Sequence, residues 1–135
     1  MPKIPAVLLV DDDPTTNFLN KKLLLRLGVT DNIRVALNGQ EALHEVREHC
    51  REQPADCPVL VFLDVNMPVM NGIQFMEAYQ QLPVEEQRAV VVVMLTTSVS
   101  PRDQQVIQNM PIADYLDKPL TQQQVERVLA QHFAG

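Results

Sequence analysis

Within eight residues the segment Val7-Leu8-Leu9-Val10-Asp11-Asp12-Asp13-Pro14 passes from one kind of structure to another. Its apolar half shows no polar alternation, as expected of a strand covered on both faces. Three carboxylates end it. Asp13 then offers a capping oxygen, and Pro14 has no N–H to lose in a first helical turn. Phe18, Leu19, Leu23 and Leu27 follow at helical spacing, and Gly28 is a natural stop. A covered strand that feeds directly into a helix is the opening of a βαβ unit.

Working outward, the same alternation repeats to the end of the chain. The runs Ile4–Val10, Ile33–Leu37, Val59–Leu63, Ala89–Leu95 and Ile112–Leu116 are apolar and rich in β-branched residues, and helical periods lie between them. Asn38 can cap a helix carrying Ala42, Leu43 and Val46, and Asn71 precedes Gly72 with Phe75, Met76 and Tyr79. Ser100-Pro101-Arg102-Asp103 and Thr121-Gln122-Gln123-Gln124 both have capping-box spacing, the second leading into Val125, Val128 and Leu129. Arg51–Pro58 and Pro83–Arg88 are polar and carry proline, so they read as surface loops. The expectation is an α/β fold with a five-stranded parallel sheet, doubly wound, with helices on both faces. One domain should take up residues 1–135.

Composition removes several classes of function. With 46% hydrophobic and 21% charged residues, the 135-residue chain is neither a disordered tail nor a membrane protein, and its longest apolar runs are far short of a bilayer span. A formal charge of −6 opposes direct binding to nucleic acid. Lys3 precedes an apolar run that ends in aspartates without a small-residue cleavage site, so a secretory signal is not expected and the cytoplasm is. Cys50 and Cys57 lack partners at metal-ligand spacing and read as reduced thiols. His44, His49 and His132 fall in helical segments and are expected at the surface, as are the glutamines of the C-terminal third.

In an open parallel sheet, ligands sit beyond the carboxyl ends of the strands. There the sequence places Asp11-Asp12-Asp13 after the first strand, Asp64 after the third, Thr96-Thr97-Ser98 after the fourth and Asp117-Lys118-Pro119 after the fifth. Carboxylates gathered from adjacent strands repel one another, and a divalent cation relieves the conflict. Asp11, Asp12 and Asp64 with a backbone carbonyl would suit Mg²⁺, which prefers hard oxygen ligands and keeps positions for water and phosphate. A carboxylate beside such a metal can attack phosphorus and form an aspartyl phosphate, and Asp64 is placed to do so. The transferring group carries charge on three oxygens, for which Mg²⁺, the Lys118 ammonium and the Thr96 hydroxyl would each supply a partner.

These residues closely resemble the receiver domain of two-component response regulators over essentially the whole chain. The motifs are Val10-Asp11-Asp12-Asp13-Pro14, Asn38-Gly39-Gln40-Glu41-Ala42-Leu43, Leu63-Asp64-Val65-Asn66-Met67-Pro68 with Gly72, Leu95-Thr96-Thr97-Ser98, and Tyr115-Leu116-Asp117-Lys118-Pro119. The resemblance implies a flavodoxin-like fold and a single receiver domain of the chemotaxis type without an output domain. It implies Asp64 as phosphoryl acceptor from a histidine kinase or histidine phosphotransfer protein in a two-component system or phosphorelay. Asp12 would bind Mg²⁺ directly, Asp11 through a water, and the Asn66 carbonyl would complete the protein ligands. Lys118 would contact the phosphoryl group, and its bond to Pro119 would be cis. Thr96 would be the switch hydroxyl and Tyr115 the aromatic that turns inward behind it, while Asn66 and Ser98 would tune dephosphorylation. Thr97 replaces the small residue common at its position, and Leu120 a frequent phenylalanine. The implied partners are the phosphodonor and a separate downstream effector, with no nucleic acid or membrane, for a monomer or a phosphorylation-dependent dimer. Catalysis would extend only to the chain's own phosphorylation and dephosphorylation.

Two other readings stand beside this one. Asp11-x-Asp13-x-Thr15 also resembles the nucleophile motif of haloacid-dehalogenase-type phosphatases, with Asp11 as nucleophile and Asp13 as general acid. Lys118 follows the last candidate acid, Asp117, whereas that family places its lysine before a late acidic pair. The third reading is an interaction module that keeps the fold and is never phosphorylated.

Overall fold

The computed structural model describes residues 3–52, 58–67, 69–83, 90–96 and 100–133. Among them, strands β1 (Ala6–Val10), β2 (Ile33–Ala36), β3 (Val59–Leu63), β4 (Val90–Thr96) and β5 (Asp114–Asp117) form one parallel sheet in the order β2-β1-β3-β4-β5. Helices α1 (Pro14–Leu27), α2 (Gly39–Glu52), α3 (Gly72–Gln80), α4 (Pro101–Gln108) and α5 (Gln122–His132) alternate with them. The expected doubly wound fold is the one observed. β1 and β3 are buried along their whole length, as their unbroken apolar runs require of central strands.

Side-chain alternation along the strands divides the interior into two cores. Leu8, Val10, Val61, Leu63 and Met94 meet Ala42 and Val46 of α2, Phe75 and Met76 of α3 and Ile107 of α4. Val7, Leu9, Leu60, Phe62 and Leu95 meet Leu24 of α1 and Val125, Val128 and Leu129 of α5. Full burial of a side chain such as Phe62 or Phe75 contributes roughly 1.5–3 kcal/mol.

The caps follow the sequence signals. Asp13 accepts from the Thr15 N–H, Asn71 and Thr121 form complete capping boxes with Gln74 and Gln124, and Asn38 accepts from the Glu41 N–H. Ser100 accepts from the Asp103 N–H. Gly28 ends α1 in the left-handed conformation at φ 68°, where glycine has no Cβ to strain.

Four expectations need correction. His49 is buried, 3% exposed, because it follows Ala42 and Val46 on the inward stripe of α2. Phe18 and Leu19 face outward at 59% and 58% exposure, while Asn17, Asn20 and Leu24 turn toward the sheet; hydrophobicity alone misassigned that stripe of α1. Arg51 and Glu52 continue α2 instead of opening a loop. Gln124, expected simply on a solvated face, is half-buried and donates to the Asp117 carbonyl at 3.1 Å. Cys57 lies outside the described residues.

Candidate functional site

Strand register assembles the site. Val10 pairs with Leu63 and Leu63 with Met94, so the residues that follow all emerge at one edge of the sheet. The ladder runs one step further: the Asp11 N–H donates to the Ala36 carbonyl at 3.1 Å and the Asp64 N–H to the Val10 carbonyl at 3.0 Å. Asp11 and Asp64 are therefore neighbours at the crevice between β1 and β3, where the strand order reverses and an open α/β sheet binds its ligands. Lys118 reaches the same crevice from the turn after β5, anchored by its own N–H to the Thr96 carbonyl at 2.8 Å. The Lys118–Pro119 peptide is cis.

The electrostatics of this crevice are unbalanced. Asp11 and Asp64 are buried, Asp12 is exposed, and one oxygen of each lies within 4.8 Å of the others. Lys118 Nζ stands 2.5 Å from Asp11 Oδ2 and 3.3 Å from Asp64 Oδ2. Burial, and then the charge of Asp11, raise the pKa of Asp64 above the ordinary carboxylate value despite Lys118 and the Asn66 N–H, which donates to Asp64 Oδ1 at 3.4 Å. Burial alone would lower Lys118; its bond to Asp11 and the charges of Asp64 and Asp11 outweigh that and raise it. Three carboxylates against one ammonium leave an excess of negative charge in an all-oxygen donor set. That set fits a hard divalent cation and can hold one.

The backbone around the crevice is tightly packed. A Cβ on Gly72 would meet the Asp64 carbonyl oxygen at 2.5 Å, so α3 can begin directly behind Asp64 only with glycine there. Before it, Val69 sits at φ 68°, an uncommon conformation for a β-branched residue. Thr96 is buried at the end of β4. Met94 and Tyr115 are register partners in one core, and Thr96, two residues beyond Met94, shares their side of the sheet. Tyr115 is half-buried beside a cavity of about 490 Å³ that Ile107, Met110 and Ile112 also line. Burial, and then Asp117, raise the pKa of Tyr115. Thr97 and Ser98 lie outside the described residues.

The family model of the response regulator receiver domain matches residues 7–130. The chain belongs to this family. As a receiver domain it is 32% identical to two-component response regulator 24 of Arabidopsis thaliana over 86% of this chain and 75% of that protein. It is 31% identical to the sensor histidine kinase GacS of Pseudomonas protegens over 94% of this chain, and there it spans only 13% of the longer protein. The crystal structure of a two-component response regulator from Cytophaga hutchinsonii superposes with a TM-score of 0.84 at 27% identity, covering 99% of this chain and 100% of that one.

The receiver reading is favoured over the phosphatase one by the hydrogen bonds as well. Asp13, the general acid of that alternative, is occupied as a helix cap, accepting from the Thr15 N–H at 3.0 Å and the Thr16 hydroxyl at 3.0 Å. A residue that sequence reasoning passed over also enters the receiver site: Asn17 donates from Nδ2 to the Asp11 carbonyl at 2.8 Å. Its place three and seven residues before Asn20 and Leu24 was the available signal.

Proposed function

We propose that this receiver domain takes a phosphoryl group onto Asp64 from the phosphohistidine of a histidine kinase or phosphotransfer protein. The observation that carries the reading is the Asp64 carboxylate, 3.3 Å from the Lys118 ammonium and flanked by the Asp11 and Asp12 oxygens. An Asp64 oxygen forms the new bond to phosphorus as the donor's N–P bond breaks; the departing imidazole nitrogen keeps the electron pair and is protonated from solvent. Lys118 pairs with a phosphoryl oxygen. Asp12 directly, Asp11 through a water, Asp64 and the Asn66 carbonyl would hold Mg²⁺, whose charge offsets that of the carboxylates and phosphoryl oxygens. Asn66 and Ser98 tune the attack of water that later removes the group.

The state of Asp64 is read elsewhere on the domain. The Thr96 hydroxyl is drawn toward the phosphoryl group, Tyr115 turns into the space behind it, and the α4–β5–α5 face changes for a downstream effector protein. Support comes from Thr96 and Tyr115 sharing one side of the sheet. No helix among the described residues is long and apolar enough to cross a membrane. We place the protein in the cytoplasm, a signalling switch whose only catalysis is of its own phosphorylation and dephosphorylation. Incubation with acetyl phosphate and Mg²⁺ should add one phosphoryl group by intact mass; the same adduct on Asp64→Ala would overturn the assignment.

A further inference from the structure

Asn17 is placed where an apolar residue would serve packing better. It is 3% exposed on the inward side of α1, and its Oδ1 has no hydrogen-bond partner among the described residues. A buried acceptor without a partner opposes folding, a penalty that leucine, of similar size, would avoid. The other end of the amide is engaged: Nδ2 donates to the Asp11 carbonyl at 2.8 Å. That bond also settles the orientation of the amide, because a flipped side chain would set oxygen against oxygen.

Two further bonds make this contact part of a closed brace. The Asn17 N–H donates to the Asp13 carbonyl at 3.2 Å, and the Asp13 N–H donates to Asp11 Oδ1 at 2.9 Å. Residues 11, 13 and 17 are thus tied together across the turn that joins β1 to α1. The carbonyl held by Asn17 belongs to the peptide between Asp11 and Asp12. Holding it restricts rotation on both sides of that peptide, and those rotations aim the two side chains. Asp11 is also fixed through Lys118, but Asp12 is exposed, and its direction depends on the backbone beneath it.

We propose that Asn17 is a positioning residue for the acidic pocket, holding the Asp11–Asp12 peptide so that the carboxylates converge on one divalent cation. This rests on the reading that the pocket binds Mg²⁺. Outer partners that orient metal ligands affect affinity about 10–100-fold, which sets the size of effect to look for.

The test uses the full chain as wild type, Asn17→Leu, Asn17→Ala and, as a matched control on the same helix, Asn20→Leu. Calorimetric titration with Mg²⁺ should give a Kd about tenfold or more weaker in both Asn17 variants and within twofold of wild type in Asn20→Leu. In metal-free protein, hydrogen exchange at the Asp13 N–H should accelerate in the Asn17 variants relative to the core amides of β3, which stay protected because the fold is intact. A role confined to folding would lower the melting temperature and leave the Mg²⁺ affinity of the folded protein unchanged. Wild type and Asn17→Leu binding Mg²⁺ equally well would overturn the assignment of Asn17 alone. Wild type that binds no Mg²⁺ would overturn the reading of the pocket and this inference with it.

Discussion

Lys118 and Asp11 are 107 residues apart in the chain, and their side chains meet with Nζ 2.5 Å from Oδ2. Since β3 and β4 separate β5 from β1 in the sheet, the lysine spans the crevice between them. Asp64, at the end of β3, stands beneath that span and shares the same ammonium. Among the described residues, Lys118 is therefore the single positive charge offsetting buried carboxylates from two strands.

Replacing Lys118 with methionine keeps most of the side-chain volume and removes the charge. At pH 7 without metal, Lys118→Met should be destabilised by about 2–3 kcal/mol in urea unfolding, less than a fully buried pair because the lysine retains some hydration. The folded-state pKa of Lys118 is raised, so its contribution is complete below the unfolded lysine value and lost as pH rises through the folded one. The gap between wild type and variant should hold through neutral pH and close in alkali; a constant gap would contradict the ion pair.

Asp64 has the opposite relation to stability. Its folded pKa is raised, so the folded state holds the proton more tightly than the unfolded chain. The resulting stability is present below the unfolded carboxylate pKa and lost as pH rises through the folded one. Metal-free Asp64→Asn should accordingly be more stable than wild type at pH 7, by on the order of 1 kcal/mol. Adding Mg²⁺ should raise the wild-type melting temperature with concentration and leave the variant nearly unmoved.

Gly72→Ala forces a methyl group against the Asp64 carbonyl, a backbone atom that cannot step aside. Chemical denaturation should show a loss of roughly 1–3 kcal/mol, the usual scale of overpacking. Phosphorylation by acetyl phosphate should slow as well, since the displaced backbone carries the acceptor. Wild-type stability with a wild-type rate would show that the loop accommodates the methyl group freely.

Val69 sits at φ 68° and is exposed, so little packing is lost on changing it. Asparagine tolerates that conformation better than a β-branched residue. Val69→Asn should raise stability by about 1 kcal/mol, read as a higher denaturant midpoint with an unchanged slope.

On α1, Phe18→Ser should leave stability within about 0.5 kcal/mol of wild type, whereas Leu24→Ala should lose about 2–5 kcal/mol. Thermal melts of the two variants separate the outward stripe from the inward one. Equal losses would place Phe18 in the core.

Much of this molecule was legible one strand at a time. Val7–Val10 and Val59–Leu63 have no polar residue to expose, so they had to be covered strands, and Asp13, Asn71 and Thr121 announced their helices through local geometry. The ends of the first, third, fourth and fifth strands located Asp11, Asp12, Asp64, Thr96 and Lys118, because a parallel sheet brings all its carboxyl ends to one edge. The inward side of α1 was not legible. Hydrophobic spacing favoured Phe18 and Leu19, whereas the helix turned Asn17 inward, where it bonds a backbone carbonyl that no side-chain pattern records. His49 was missed for a related reason: its neighbours Ala42 and Val46 carry it into the interior whatever its own polarity.

The order of residue types along the chain was enough to establish the parallel α/β architecture and to bring the acidic residues to one edge, since strand burial and helix capping depend on near neighbours. Only the folded chain decided that Lys118 bridges Asp11 and Asp64, that Asn17 holds the Asp11 carbonyl and that Thr96 shares a side with Tyr115. Those relations depend on strand register and on the rotation of each helix about its axis. Packing of the whole molecule sets both.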